Sequence, residues 1–179
     1  RATERDLERH WIRRQEFECQ LEQVPLEKRI YLDEAGSHLG MTRSHARAVQ
    51  GVRAYAKKPS SHGGNLSMIG AVRLKHPFLV HPFDGPIDGE RFLVVLDRLC
   101  PRLEPGDVLI MDNCRIHHIE AVRVKLEAVG AKALFLPPYS PELNPIEEVW
   151  SLVKRMLRSF EPRNIVEYVR DLLRAAAQV

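Results

Sequence analysis

Among its 179 residues the sequence has only three cysteines, Cys19, Cys100 and Cys114. The number is odd, there is no C-x-x-C pair and no Cys/His spacing of the zinc kind, which excludes a disulfide scaffold and a structural zinc site; a reducing compartment is the simplest expectation. Long apolar runs are missing as well. The most apolar stretches, such as Phe92–Leu96 and Val108–Met111, fall far short of the ~18 residues of a membrane span, so a soluble protein is expected. The amino-terminal stretch RATERDLERHWIRRQEFE is charged throughout and lacks the apolar segment of a secretory signal. It also lacks an initiator Met, which points to a piece of a longer chain. Internal repeats are absent, and the only biased segment is a short Ser/Gly run near residue 60.

What is present is ordinary in amount and unusual in placement. Apolar residues make up 44% and charged residues 28%, a globular composition for a chain long enough to bury one core. The net charge is only +3, which permits a polyanionic partner without requiring one. From Ala35 to Phe83, however, there is no Asp or Glu, while Arg43, Arg47, Arg53, Lys57, Lys58, Arg73 and Lys75 stand there with five histidines. A charge run is commonly a solvated face. A stretch this long without one acid fits a phosphate track better, and Arg43, Arg47, Arg53, Lys57 and Lys58 are the candidate nucleic-acid contacts.

Periodicity places the elements. Residues 3–22 set Leu7, Trp11, Phe17 and Leu21 on one helical face. Arg29–Asp33 is a short strand followed by Glu34, Ala35 and Gly36, and residues 37–64 read as loop with a strand-like piece at Ala46–Tyr55. Leu66–Leu74 and Phe78–Phe83 read as a hairpin, Asp88–Leu99 as a helix stopped by Pro101, and Gly106–Asp112 as a strand covered on both faces. A helix at Ile119–Val129 closed by Gly130, a strand at Ala133–Leu136 and helices at Pro145–Ser159 and Arg163–Ala177 follow. An antiparallel start and an alternating β/α second half predict an α/β fold, a five-stranded mixed sheet flanked by helices, as in ribonuclease H-like proteins.

Two strands thus end in carboxylates, Asp33 and Asp112, and ligands of open α/β sheets gather at carboxyl ends of strands. Acids also follow strands as mere turn formers, and Asp112-Asn113 makes a turn unaided. A third group changes the weighing. Asn144-Pro145-Ile146-Glu147 reads as the start of a helix delivered by the rigid LFLPPYSPELNP, with Glu147 either the return half of a capping box or a group aimed at the sheet. Ile146, Val149, Trp150, Val153 and Leu157 mark the buried face, Trp150 reading as core; at ~100° per residue Glu147 flanks that face and Glu148 points away. Close acids repel unless a cation lies between them, and oxygen donors suit Mg²⁺ or Mn²⁺.

The strings YLDEAG, DGPIDGERF, PGDVLIMDN and LPPYSPELNPIEEVWS resemble the catalytic domain of DDE-type transposases, in the bacterial insertion-sequence branch of the mariner superfamily. The resemblance runs from about Arg29 to about Leu157. It implies that Asp33, Asp112 and Glu147 are the catalytic and metal-binding acids, with 34 residues between the last two, that two Mg²⁺ or Mn²⁺ ions serve strand cleavage and strand transfer, and that the partner is double-stranded DNA, transposon ends and target, bound as a homodimer by a cytoplasmic, nucleoid-associated protein. His117 matches a histidine common in the family and, like Asn113, is a possible auxiliary that touches phosphate or the attacking group; a plain helix-start histidine is an equal reading. His118 has no counterpart, and Cys114 stands where a small residue is more usual. The expected organisation is a helix and linker at 1–24, the catalytic domain at 25–160 and a terminal helix at 161–179. Another ribonuclease H-like nuclease or resolvase, or a captured non-catalytic DNA-binding protein, are the alternative readings.

Overall fold

The computed structural model describes residues 7–55, 57, 59, 63–76 and 79–179. Helix α1 (Leu7–Glu22) leads into β1 (Arg29–His38), β2 (Asn65–Arg73) and β3 (Leu79–Asp84); α2 (Gly89–Leu99), β4 (Val108–Met111), α3 (Glu120–Ala128), β5 (Lys132–Phe135), α4 (Ile146–Phe160) and α5 (Ile165–Ala176) follow. The strands form one sheet in the order β3-β2-β1-β4-β5. β1–β2 and β2–β3 are antiparallel, and β1–β4 and β4–β5 are parallel. This is the ribonuclease H-like mixed sheet that the order of strand and helix patterns predicts.

Two departures bear on the site. The strand expected at Ala46–Tyr55 does not form: the segment is exposed coil and turn, because its few apolar residues, Val49, Val52 and Tyr55, find no sheet to pack on and stand 79%, 64% and 86% exposed. And β1 does not stop at Asp33 but runs on to His38, paired throughout with β2. Its partner on the other side stops early. The β1–β4 ladder is Arg29–Val108, Ile30–Leu109 and Tyr31–Ile110, and the same register carried two residues on sets Asp33 opposite Asp112.

Successive side chains of a strand point to opposite faces, and the core divides accordingly. Ala35, Leu66, Met68 and Val80 pack under Ile146, Trp150, Val153 and Leu157 of α4 and Tyr168 and Leu172 of α5. Ile30, Leu32, Ile69 and Ala71 meet Phe92, Val95 and Leu96 of α2 and Val122 and Leu126 of α3. Phe17 of α1 covers Ile110 and Leu136. Asp33 therefore belongs to the α4 face and its neighbour Glu34 to the α2/α3 face.

One charged group sits inside this frame. Asp107, fully buried just before β4, takes a bidentate pair from Arg73 at the end of β2 (2.9 and 2.8 Å) and the backbone N–H of Glu104 (2.8 Å). Arg73 thus ties strands on either side of β1 and is committed to the fold, not to an external phosphate. Removing one member of such a pair strands the other charge in a poorly solvated place. Asp107→Ala is expected to cost about 3–5 kcal/mol in chemical denaturation, and the paired change Asp107→Leu with Arg73→Met markedly less than that.

Candidate active site

At the end of the short β4, Asp112 enters a turn in which its Oδ1 accepts the Cys114 N–H at 3.0 Å. Asp33 comes up beside it from mid-β1. From the other side Leu136–Pro145, with prolines at 137, 138, 141 and 145, carries the chain from β5 to the start of α4. This connection is held in place: Ser140 Oγ accepts from Arg14 Nε of α1 (3.0 Å) and donates to the Pro138 carbonyl (3.1 Å), and Arg14 also pairs with Glu142. Tyr139 within it adopts φ +54°, a costly left-handed conformation for a non-glycine residue. The result is a cleft of about 460 Å³ whose walls include Asp33, Asp112, Asn113, Asn144 and Glu147. Glu148 is not among its lining residues.

The capping box that offered another reading of Glu147 does not form. α4 starts after Pro145 without a side-chain cap, and it is the Asn144 carbonyl that accepts the Glu147 N–H, at 3.1 Å. The buried Asn144 Oδ1 has no hydrogen-bond partner among the described residues. Glu147 is therefore free of that bond, at the positive end of a 15-residue helix.

Electrostatics marks the same spot. Burial first, then the charges of Glu34 and Glu147 and, less, of Asp112, push Asp33 up to about 7. Its Oδ2 accepts the indole N–H of Trp150 at 3.0 Å. The ring of Trp150 is core, as its helical spacing predicts, but its N–H holds an acid that lies 117 positions away. Asp112 behaves oppositely: its hydrogen bond with His117 holds it below the usual carboxylate range.

His117 departs from expectation. It is 2% exposed, packed on Phe92 with ring centroids 4.6 Å apart, and so cannot reach a phosphate or an attacking group in the cleft. Its Nε2 lies 2.9 Å from Glu34 Oε1, and its Nδ1 lies 2.9 Å from Asp112 Oδ1 and 3.0 Å from the Asp112 carbonyl. Burial works against a charge on this ring, but the bonds to Asp112 and Glu34 outweigh it and raise its pKa to about 10. Glu34, Asp112 and His117 also bring possible metal-ligand atoms within 4.8 Å of one another. Both ring nitrogens face carboxylate oxygens, so that in this arrangement His117 links Glu34 to Asp112. Asn113 lines the cleft and its Oδ1 is bonded to His118.

The basic candidates lie elsewhere. Arg43, Arg47, Arg53 and Lys57 are exposed, and Lys58 lies outside the described residues. Arg43 bonds to the Ser159 carbonyl at 3.2 Å, and with His45 and Lys57 it lines a groove at the far end of α4. At ~1.5 Å per residue this is about 18 Å from Glu147.

No curated protein matches the chain. The paired-end complex of Mos1 transposase with the left transposon end is similar in structure, with a TM-score of 0.72 and 20% identity over 99% of this chain and 57% of that one. The Mos1 strand transfer complex gives 0.69 and 20%, over 96% and 55%. The Mos1 catalytic domain with raltegravir and Mg gives 0.66 and 15%, over 100% and 85%. The chain thus spans a little over half the length of the first two proteins, and the likeness is one of fold. Among the described residues no helix is long and apolar enough to cross a membrane. The family model for DDE superfamily endonucleases matches residues 28–169, from the start of β1 into α5, and the chain belongs to that family.

Proposed function

We propose that this chain is the catalytic domain of a DNA transposase, which cleaves strands at transposon ends and transfers them to a target, with Asp33, Asp112 and Glu147 as its metal-binding acids. One observation carries the reading: three acids from β1, the end of β4 and the first turn of α4 line one cleft, where burial and their neighbours' charges push Asp33 to about 7. A carboxylate whose ionisation is opposed in this way, Asp33, beside two further acids favours a hard cation among them. The donor set fits Mg²⁺ or Mn²⁺, two ions in our reading, since it is all oxygen and the unpartnered Asn144 Oδ1 stands in the same wall. Such ions, when bound, supply an activated hydroxyl and charge neutralisation at the phosphate.

The chain's own residues do the positioning. Trp150 fixes the carboxylate of Asp33, His117 that of Asp112, and the proline-rich connection with its Arg14 anchor sets the height of Glu147. Mos1 structures with transposon-end DNA and with Mg support the assignment of DNA as substrate and of a divalent ion as cofactor. Duplex DNA leaving the cleft would meet Arg43 and Lys57 roughly five nucleotides on, at ~3.4 Å per nucleotide, and Arg47, Arg53 and Lys58 belong to the same acid-free stretch of sequence. A homodimer assembled on the two ends completes the reading.

Metal comes first among the tests. Millimolar Mg²⁺ is expected to raise the melting temperature, and Ca²⁺ to bind without supporting turnover. No shift with Mg²⁺, together with no cleavage of pre-nicked transposon-end DNA, overturns the assignment; strand transfer of a 3′-hydroxyl end separates it from a plain ribonuclease H-like nuclease.

The two neighbouring acids of α4 provide a second test, in the full-length enzyme on its own ends. Glu147→Gln keeps the volume and is expected to fold normally while strand cleavage falls by about 10³-fold, the scale for loss of one group that stabilises the transition state. Glu148→Gln should cleave at near wild-type rate. An inactive Glu148→Gln with an active Glu147→Gln would reverse the helix register assigned here.

Non-specific DNA binding by this chain is expected to weaken steeply with salt. Replacing Arg43, Arg47, Lys57 and Lys58 by Ala should flatten the slope of log affinity against log salt by about 3 to 4 units. An unchanged slope would make the acid-free stretch a solvated face and nothing more.

A further inference from the structure

Glu34 stands next to Asp33 yet cannot share its task, because alternation along β1 puts it on the opposite face of the sheet, over α2 and α3. There it meets a buried imidazole whose second nitrogen reaches Asp112. From this arrangement we infer that Glu34 is a positioning residue, which acts through His117 to fix the carboxylate of Asp112 for metal. The inference rests on the metal-binding reading of the cleft given above and concerns residues to which that reading assigns no contact with substrate or metal.

Ionised carboxylates only accept hydrogen bonds. With Glu34 Oε1 at 2.9 Å from Nε2 and Asp112 Oδ1 at 2.9 Å from Nδ1, His117 satisfies both by donating from both nitrogens. Its ring has no solvent exposure and is wedged against Phe92, so its orientation is set by packing below and by Glu34 at the side. The carboxylate of Asp112, by contrast, is about half exposed and sits past the end of β4, where no strand ladder restrains it. Its Oδ1 accepts the Cys114 N–H and makes an ion-pair contact with His117 Nδ1, which also bonds the Asp112 backbone carbonyl at 3.0 Å. That leaves the other oxygen for the cleft. Without Glu34 the imidazole keeps its packing but loses the acceptor that fixes its tilt and its second proton, and Asp112 regains its swing. The structure therefore gives each of its two sheet acids a side-chain partner, Trp150 for Asp33 on one face and His117 for Asp112 on the other, and Glu34 braces the second.

Partners that orient a ligating side chain typically change metal affinity by 10–100-fold when removed. The test is Mn²⁺ binding to this chain without DNA, followed by the loss of the free-ion EPR signal, alongside thermal melts without metal. Glu34→Leu, close in volume but unable to accept, is expected to weaken Mn²⁺ binding about tenfold or more while the metal-free melting temperature changes little. Glu34→Gln, which still accepts from Nε2–H, should recover most of the loss. Since the two residues act in series, Glu34→Leu with His117→Phe should be no weaker than His117→Phe alone; independent contributions would add.

Wild-type Mn²⁺ affinity in Glu34→Leu, or losses that add in the double variant, overturns the inference while leaving the metal site standing. Absence of Mn²⁺ binding by the wild-type chain overturns the metal reading and the inference with it. If His117→Phe does not fold, Glu34→Leu against Glu34→Gln decides alone, because a role confined to packing would be served by leucine and would not be restored by glutamine.

Discussion

Mutual repulsion among acids is the constraint around which this molecule is organised. Asp33, Glu34, Asp112 and Glu147 are drawn together where β4 ends and β1 continues, in a region dry enough to push Asp33 to about 7. A protein selected only for stability would disperse them. Here three devices meet them: an indole N–H for Asp33, a buried imidazole shared by Glu34 and Asp112, and a helix amino end for Glu147. The sheet, the α4 packing and the proline-rich connection are the means by which these devices arrive at one place.

The strand order follows from the same need. Parallel neighbours β1 and β4 present corresponding ends, so acids in matching register come out side by side. Because β4 has only four residues and β1 has ten, the ladder opens just where those acids stand. β2 then supports β1 over the remaining stretch, so the split does not leave β1 without a partner on both sides. Arg73 and Asp107 close the opposite end of the same strands through a pair in which the carboxylate is wholly buried.

Features that depend on local period were legible in the sequence. The buried stripe of α4 and the apolar run of β4 sit where their spacing puts them, and the three acids of the resembling family share the wall of one cleft. Features that depend on contacts across long stretches of chain were not legible. Glu34 and His117 are 83 positions apart, and Asp33 and Trp150 are 117; nothing in the pattern around Trp150 separates an indole that only packs from one that also donates. One signal was available for Glu34: two adjacent acids on a strand must face opposite sides of the sheet, so the second needs a partner of its own. The mistaken strand at Ala46–Tyr55 has the complementary cause, since β-branched and aromatic residues favour strands only where a sheet is present to receive them.

The anchoring of Ser140 and Glu142 by Arg14 has a consequence for how much chain makes a working unit. Arg14 lies on α1, ahead of the sheet, whereas the groups it grips belong to the turn that delivers the last acid. The first helix and the third carboxylate are thus mechanically one body, although more than 120 residues separate them along the chain. A polypeptide trimmed to begin at β1 would retain all three acids of the cleft and every strand, yet its Pro-rich turn would lose the grip of Arg14. A tilt of α1, whatever its origin, is likewise a displacement of Glu147, and an ångström there is enough to change the rate of in-line chemistry.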